Sequence, residues 1–328
     1  LVATGLHRPT LGDELREVVG SDWVMETVSI VNHYARDDED HRYLGDVSGG
    51  IPVRIDRRFL DADLRIAVGL VEPHFMAGYS GGRKLVAPGV AHEETIRMLH
   101  AAGILEDCRA ANCILEGNPL HDAQLAILGM VGKCYAVNCV IDEERRVSYI
   151  NFGAMEASHL DAVGFVRPYA EIPVKRKYGT VLTSAAGYPL DKNYYQTVKG
   201  MVGAMDIVAD GGTLVIASEC SEGLGSAEYA AAQERLLGLG PERFLTELLE
   251  KRSAAVDEWE TEMQVRVMKK ARVWLYTKGL SPEERRLTGV RIVHSVEAAV
   301  SESVAMQGER RIAVIPEGPY VIPVYQGL

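Results

Sequence analysis

The chain has 328 residues, of which 47% are hydrophobic and 25% charged, with a formal net charge of −11. That length exceeds the size at which one hydrophobic core stops growing, so two domains are expected. No uninterrupted apolar run reaches the roughly 18 residues of a membrane-spanning helix, and the acidic balance excludes a nucleic-acid surface, which needs clustered Lys and Arg. A soluble, cytoplasmic protein with neither membrane nor nucleic-acid partners is expected.

Cys108, Cys113, Cys134, Cys139 and Cys220 are odd in number and stand among apolar neighbours. Two C-x4-C pairs hint at zinc, but without a nearby His pair they read as buried small hydrophobes of a reducing compartment. The opening Leu1-Val2-Ala3 has no Met and no basic leader, so it is not a signal peptide, and further residues are expected upstream.

In chain order, residues 1–4 read as the end of a strand stopped by Gly5, and Thr10 as the N-cap of a helix over 11–19. Strands are expected at 27–32, 51–55 and 64–70, the last apolar enough to be buried on both faces. Helices follow at 93–102 and 119–128. Prolines and charges at 168–178 suggest a linker. Beyond it, strands at 178–184, 213–217 and 273–276 alternate with helices at 241–251 and 282–287, and a closing strand at 312–316 is expected to return to the first sheet. These elements make the fold class α/β, two α/β domains with a cofactor cleft between them. The first would comprise residues 1–171 plus about 308–328, the second 172–307.

The densest constellation is Glu72-Pro73-His74-Phe75-Met76-Ala77-Gly78-Tyr79-Ser80-Gly81-Gly82-Arg83-Lys84, followed by Pro88-Gly89. Glycines let backbone N–H groups approach an anion, Ser80 adds a hydroxyl, and Arg83 and Lys84 add charge, which suits a phosphate. It is neither a Walker A loop nor G-x-G-x-x-G, and a tight exposed turn would use the same residues. His100 closes a helical stretch, where it reads as a helix-end cation, a satisfied core group or a ligand. His7 follows a strand.

Three motifs carry a resemblance: Ala3-Thr4-Gly5-x-His7-Arg8-Pro9; the Pro73–Lys84 run with Pro88-Gly89; and Gly187-Tyr188-Pro189-Leu190-Asp191-x-Asn193-x-Tyr195-Gln196-x-Val198-Lys199-Gly200. Together, in this order and spacing, they resemble the nickel-dependent, nickel-pincer-nucleotide lactate racemase family, from Leu1 to the terminal Val314-Ile315-Pro316-Glu317-Gly318. The resemblance implies a 2-hydroxy acid racemase or epimerase, an isomerase of lactate or a related acid. Its cofactor is a pyridinium-3-thioamide-5-thiocarboxylic acid mononucleotide that grips nickel. By resemblance, Lys84 tethers this cofactor covalently, His100 is a nickel ligand, and Gly78, Ser80, Gly81, Gly82 and Arg83 meet its phosphate. Trp259 lies near it, though a core aromatic would look the same.

His7 and His74 match the family's two acid–base histidines, one for each face of the substrate, working beside reversible hydride transfer to the cofactor. Gln196 and Lys199 match its substrate-binding pair, and a spacing of three lets them share a helical face. Cofactor-synthesis and nickel-insertion proteins are implied as partners. The family's Asp-x-x-Arg segment falls upstream of Leu1. Glu219-Cys220-Ser221-Glu222-Gly223-Leu224-Gly225-Ser226 departs from a His-Gly-Gly-rich version of that loop, and Ala185-Ala186-Gly187 replaces a more polar stretch. Both leave the acid open. Two alternatives stand beside this reading: an NAD-dependent oxidoreductase, and a non-catalytic binding protein that keeps the pocket.

Overall fold

A computed structural model describes residues 1–327. Contacts divide the chain into two units. The first comprises Leu1–Val71, Ser80–His100 and Pro119–Phe165, and the second Glu72–Tyr79, Ala101–Asn118 and Val166 onward. The division into two α/β units is as expected, and the contact units are interleaved along the chain. The expected linker is also structured: the helix Met155–Ala170 runs through Pro168, and the strand Glu171–Val174 follows directly.

In the first unit, Tyr135–Ile141 is the centre of a three-stranded sheet, parallel to Ile66–Leu70 and antiparallel to Val147–Ala154. A separate hairpin pairs His41–Val47 with Ile51–Asp56. The apolar run at 64–70 is not buried on both faces, since Ile66, Val68 and Leu70 are exposed. The opposite face is tightly covered: a Cβ on Gly69 would lie 2.8 Å from Leu85 Cδ1. Alternation along the strand therefore separates two apolar faces that a continuous hydrophobic run cannot distinguish. The strand expected at 27–32 is also absent. Asp22–Thr27 is helical, and only an isolated bridge joins Val2 to Asn32. Thr10 does not cap the first helix, Gly12–Val19, whose N-cap is Leu11. The backbone N–H and C=O of Thr10 are instead taken by the Asn32 amide.

The second unit is built on a five-stranded parallel sheet. Its order is Arg291–Val293, Arg272–Tyr276, Val208–Ala217, Tyr178–Ser184 and Ala313–Ile315. Val181, Leu214, Val215, Ile216 and Leu275 are wholly buried at its centre, as expected of a sheet covered on both faces. The closing strand does not return to the first domain's sheet. It completes the edge beside Tyr178–Ser184, with Val314 opposite Leu182. That edge supplies the parallel ladder its backbone groups need. Among the described residues, no helix is long and apolar enough to cross a membrane.

Candidate functional site

The first unit gathers three of the expected residues. Gly5 donates its N–H to the carbonyl of Gly89 at 3.0 Å, and Gly89 donates its own to the carbonyl of Lys84 at 3.1 Å. Gly89 thereby ties the turn carrying His7 to the 3-10 turn Gly82–Leu85 that carries Lys84. Only glycine allows the approach, because a Cβ there would sit 2.1 Å from the Leu85 carbonyl oxygen. His100 caps the C-terminus of the helix Glu93–Leu99, and its Nδ1 lies 2.8 Å from the Ile96 carbonyl oxygen. Burial lowers its pKa to about 4, with Lys84 and His7 both close enough to push it down further. His100 is thus a neutral imidazole beside two basic groups.

Ser80, Gly81, Gly82 and Arg83 lie in the same unit. Ser80 Oγ donates to the Leu70 carbonyl at 2.9 Å, fixing the loop to the end of its strand. Arg83 is not a surface cation: its side chain is buried, and burial drops its pKa to about 9. Its Nη1 lies 2.9 Å from His159 Nε2, which is also 2.9 Å from the Ser80 carbonyl. Burial and the Arg83 charge lower the pKa of His159 to about 3. His159 therefore stays neutral and braces the glycine turn from the helix Met155–Ala170, a role with no signal in the sequence around it.

The remaining residues belong to the second unit, Gly78 included, so the expected continuous loop is divided. Pro73–His74 pairs with Gly78–Tyr79 in a short hairpin. His74 Nδ1 accepts from the N–H groups of Met76 and Ala77 at 3.3 and 3.1 Å, which puts the proton of the neutral ring on Nε2. Asn118 steadies the hairpin by donating to the Met76 carbonyl at 2.9 Å.

Gln196 and Lys199 stand three apart on the helix Tyr194–Ala204, capped by Asn193. Lys199 Nζ lies 5.8 Å from the centre of the Phe75 ring, beside His74 in the chain. Trp259 Nε1 donates to the Tyr195 hydroxyl at 3.0 Å. The next residue, Glu260, is fully buried, and neither carboxylate oxygen has a hydrogen-bond partner among the described residues. Burial lifts its pKa to about 8, against the pull of Lys199. Sequence reasoning missed Glu260, because its adjacency to Trp259 does not reveal its closeness to Lys199.

This unit can therefore offer an ammonium and an amide to a small anion, with an imidazole on a nearby hairpin. The first unit offers a glycine turn, an amine and a neutral imidazole.

Comparison with known proteins gives both units the same affiliation. A model described as the lactate racemase N-terminal domain matches residues 1–112, and one described as the lactate racemase C-terminal domain matches residues 174–323. The chain is 31% identical to a lactate racemase of Thermoanaerobacterium thermosaccharolyticum over 98% of its own length and 75% of the relative's. It is 29% identical to one of Lactiplantibacillus plantarum over 98% and 76%. The solved lactate racemase apoprotein from T. thermosaccharolyticum superposes with a TM-score of 0.91 at 30% identity, covering 98% of this chain and 76% of that one. A Thermotoga maritima protein shares the fold at a TM-score of 0.69 and 17% identity, covering 99% and 84%. The chain belongs to the lactate racemase family.

Proposed function

We infer that this chain is an isomerase that racemises or epimerises lactate or a related 2-hydroxy acid, using a nickel-pincer nucleotide held on Lys84. The observation carrying this reading is the convergence of His7, Lys84 and His100 in the first unit, where Gly89 joins the turns of His7 and Lys84 and both lie close enough to His100 to act on it.

The residues present fit such a group. The Ser80–Arg83 turn is narrow enough that a Cβ on Gly82 would lie 2.8 Å from the His159 ring, and a turn of this kind suits a phosphate. His100 donates its Nδ1 proton to the Ile96 carbonyl, and a neutral imidazole protonated there binds a borderline metal such as nickel through Nε2. When bound, the nucleotide supplies a reversible hydride acceptor.

The protein's own part is binding and proton transfer. Lys199 pairs with the substrate carboxylate and Gln196 donates to it through its amide. His7 and His74 each serve one enantiomer: one takes the hydroxyl proton as the carbon is oxidised, the other gives a proton to the carbonyl oxygen when the opposite face is reduced, and solvent resets both. His74, holding its proton on Nε2, is set in this orientation to give a proton to a carbonyl oxygen. To take one at that position, its ring must first turn.

The deciding experiment is to produce the chain alongside the cofactor-building and nickel-insertion enzymes, then measure intact mass, nickel content and interconversion of D- and L-lactate. Wild type should carry added mass and near-stoichiometric nickel that Lys84→Ala lacks. A host without those enzymes yields free Lys84. Absence of both adduct and nickel despite competent synthesis rejects the tethered group and returns the NAD-dependent and binding-protein alternatives. Activity toward another 2-hydroxy acid but not lactate would reassign the substrate alone.

A further inference from the structure

A second histidine cluster lies in the first unit, among residues the reaction does not use. His33, His41 and Asp56 are buried, with 1%, 6% and 0% of their surface exposed. Their potential ligand atoms all lie within 4.8 Å of one another. The two Nε2 atoms face each other at 2.9 Å.

With the Thr4 hydroxyl donating to the His33 carbonyl, neither neutral tautomer of His33 gives both of its ring nitrogens a partner. His41 Nδ1 lies 2.6 Å from the Asp37 carbonyl oxygen, which only accepts, so the His41 proton is on Nδ1 and its Nε2 is a bare lone pair. The Thr4 hydroxyl gives its proton to the His33 carbonyl at 2.7 Å, leaving a lone pair to face His33 Nδ1 at 3.3 Å. If neutral His33 carries its proton on Nε2, its Nδ1 meets an oxygen lone pair. If it carries the proton on Nδ1, two Nε2 lone pairs meet at 2.9 Å. A cation between the Nε2 atoms removes the conflict, with both Nδ1 protons on their oxygens.

We propose that His33, His41 and Asp56 form a binding site for a divalent transition-metal ion, coordinated through the two Nε2 atoms and one carboxylate oxygen. Metal–imidazole bonds of about 2.0–2.1 Å place cis nitrogens about 2.9 Å apart at right angles and about 3.3 Å apart in a tetrahedron. The spacing therefore suits a five- or six-coordinate ion completed by water. Hydrogen bonds from ligand Nδ1 atoms to oxygen are the usual outer shell of such a site.

Asp56 already accepts from Arg58 N, Nε and Nη2, but a carboxylate has about four lone-pair sites and keeps one. The Arg58 charge is offset by Asp40 at 3.0 Å as well as by Asp56. His92 is outside the ligand set. It caps a helix through Nδ1, pairs with Asp38 through Nε2 and packs edge-on against His41 at 5.0 Å. The ion would pin the segment after Asn32 to the hairpin.

The test uses the chain made without the cofactor-building enzymes, stripped with chelator, loaded with zinc chloride and desalted. Wild type and His100→Ala should both retain close to one zinc per chain, and His33→Gln and His41→Gln at least tenfold less. Zinc K-edge absorption of the wild type should show two imidazole nitrogens, and zinc should raise its melting temperature by several degrees. Circular dichroism checks that the variants fold; if they do not, the wild-type absorption spectrum decides alone. No retained zinc, a coordination shell without paired imidazoles, retention by His41→Gln equal to wild type, or loss in His100→Ala each overturns the site.

Discussion

The Nδ1 of His100 lies 2.8 Å from the carbonyl oxygen of Ile96, one helical turn earlier. This hydrogen bond puts the proton of the neutral ring on Nδ1, since a carbonyl only accepts, and makes Nε2 the nitrogen with the lone pair. Replacing His100 by Ala should separate tether from metal. Chain made with the cofactor-building enzymes should keep the mass added at Lys84 but lose most of its nickel, read by intact mass and elemental analysis of one sample. Loss of both in a folded variant would show that His100 does more than hold the ion.

Four histidines are kept neutral chiefly by burial: His33, His100 and His121 with pKa values lowered to about 4, and His159 to about 3. The unfolded chain takes up protons at these groups near pH 6.5, before the native state does, so stability falls with pH below that value. Each group contributes at most about 1.4 kcal/mol per pH unit. The urea midpoint should therefore drop clearly between pH 7 and pH 5, and an unchanged midpoint would show that these side chains are solvated.

Gly89→Ala should be among the most damaging single-methyl changes in the first unit. The added Cβ would meet the Leu85 carbonyl oxygen at 2.1 Å, forcing apart the turns that carry Lys84 and His7. A loss of roughly 2–4 kcal/mol is expected from backbone displacement of this kind. Denaturant unfolding measures it, and a variant as stable as wild type would mean the turn relaxes freely.

Glu260 illustrates the opposite sign. Its pKa is raised to about 8 by burial, so ionisation is harder in the native state, and its contribution to stability falls as pH rises from the ordinary glutamate range through 8. Glu260→Gln removes that slope. The variant should gain stability relative to wild type as pH increases from 5 to 8, by at most about 1.4 kcal/mol per unit. Activity near pH 6.5 should change little, because the amide resembles the protonated acid that faces Lys199. A pH-independent difference in stability would place an ionised carboxylate at that position.

Much of this protein is readable along the chain. The strand at 178–184, the helix at 282–287 and the helix from Pro119 follow from apolar runs bounded by caps, prolines and glycines, which are local signals. The glycine-rich turn before Lys84 is legible from its own residues, while His74, Gln196 and Lys199 stand out only through the resemblance to the family's motifs. Tertiary structure decided what depends on partners far away in sequence. The closing strand joined Tyr178–Ser184 because that edge offered a ladder, and the run at 64–70 proved exposed on one face because cover is a property of neighbours. Gly89 joins the turns of His7 and Lys84, and only the fold brings His100 near them. Arg83 is a buried cation in contact with His159, 76 residues on, and His33, His41 and Asp56 come together through the hairpin that carries the last two. Residue types and short spacings determine local conformation and the available chemistry, while burial, protonation and ligand geometry are set by contacts no local window contains.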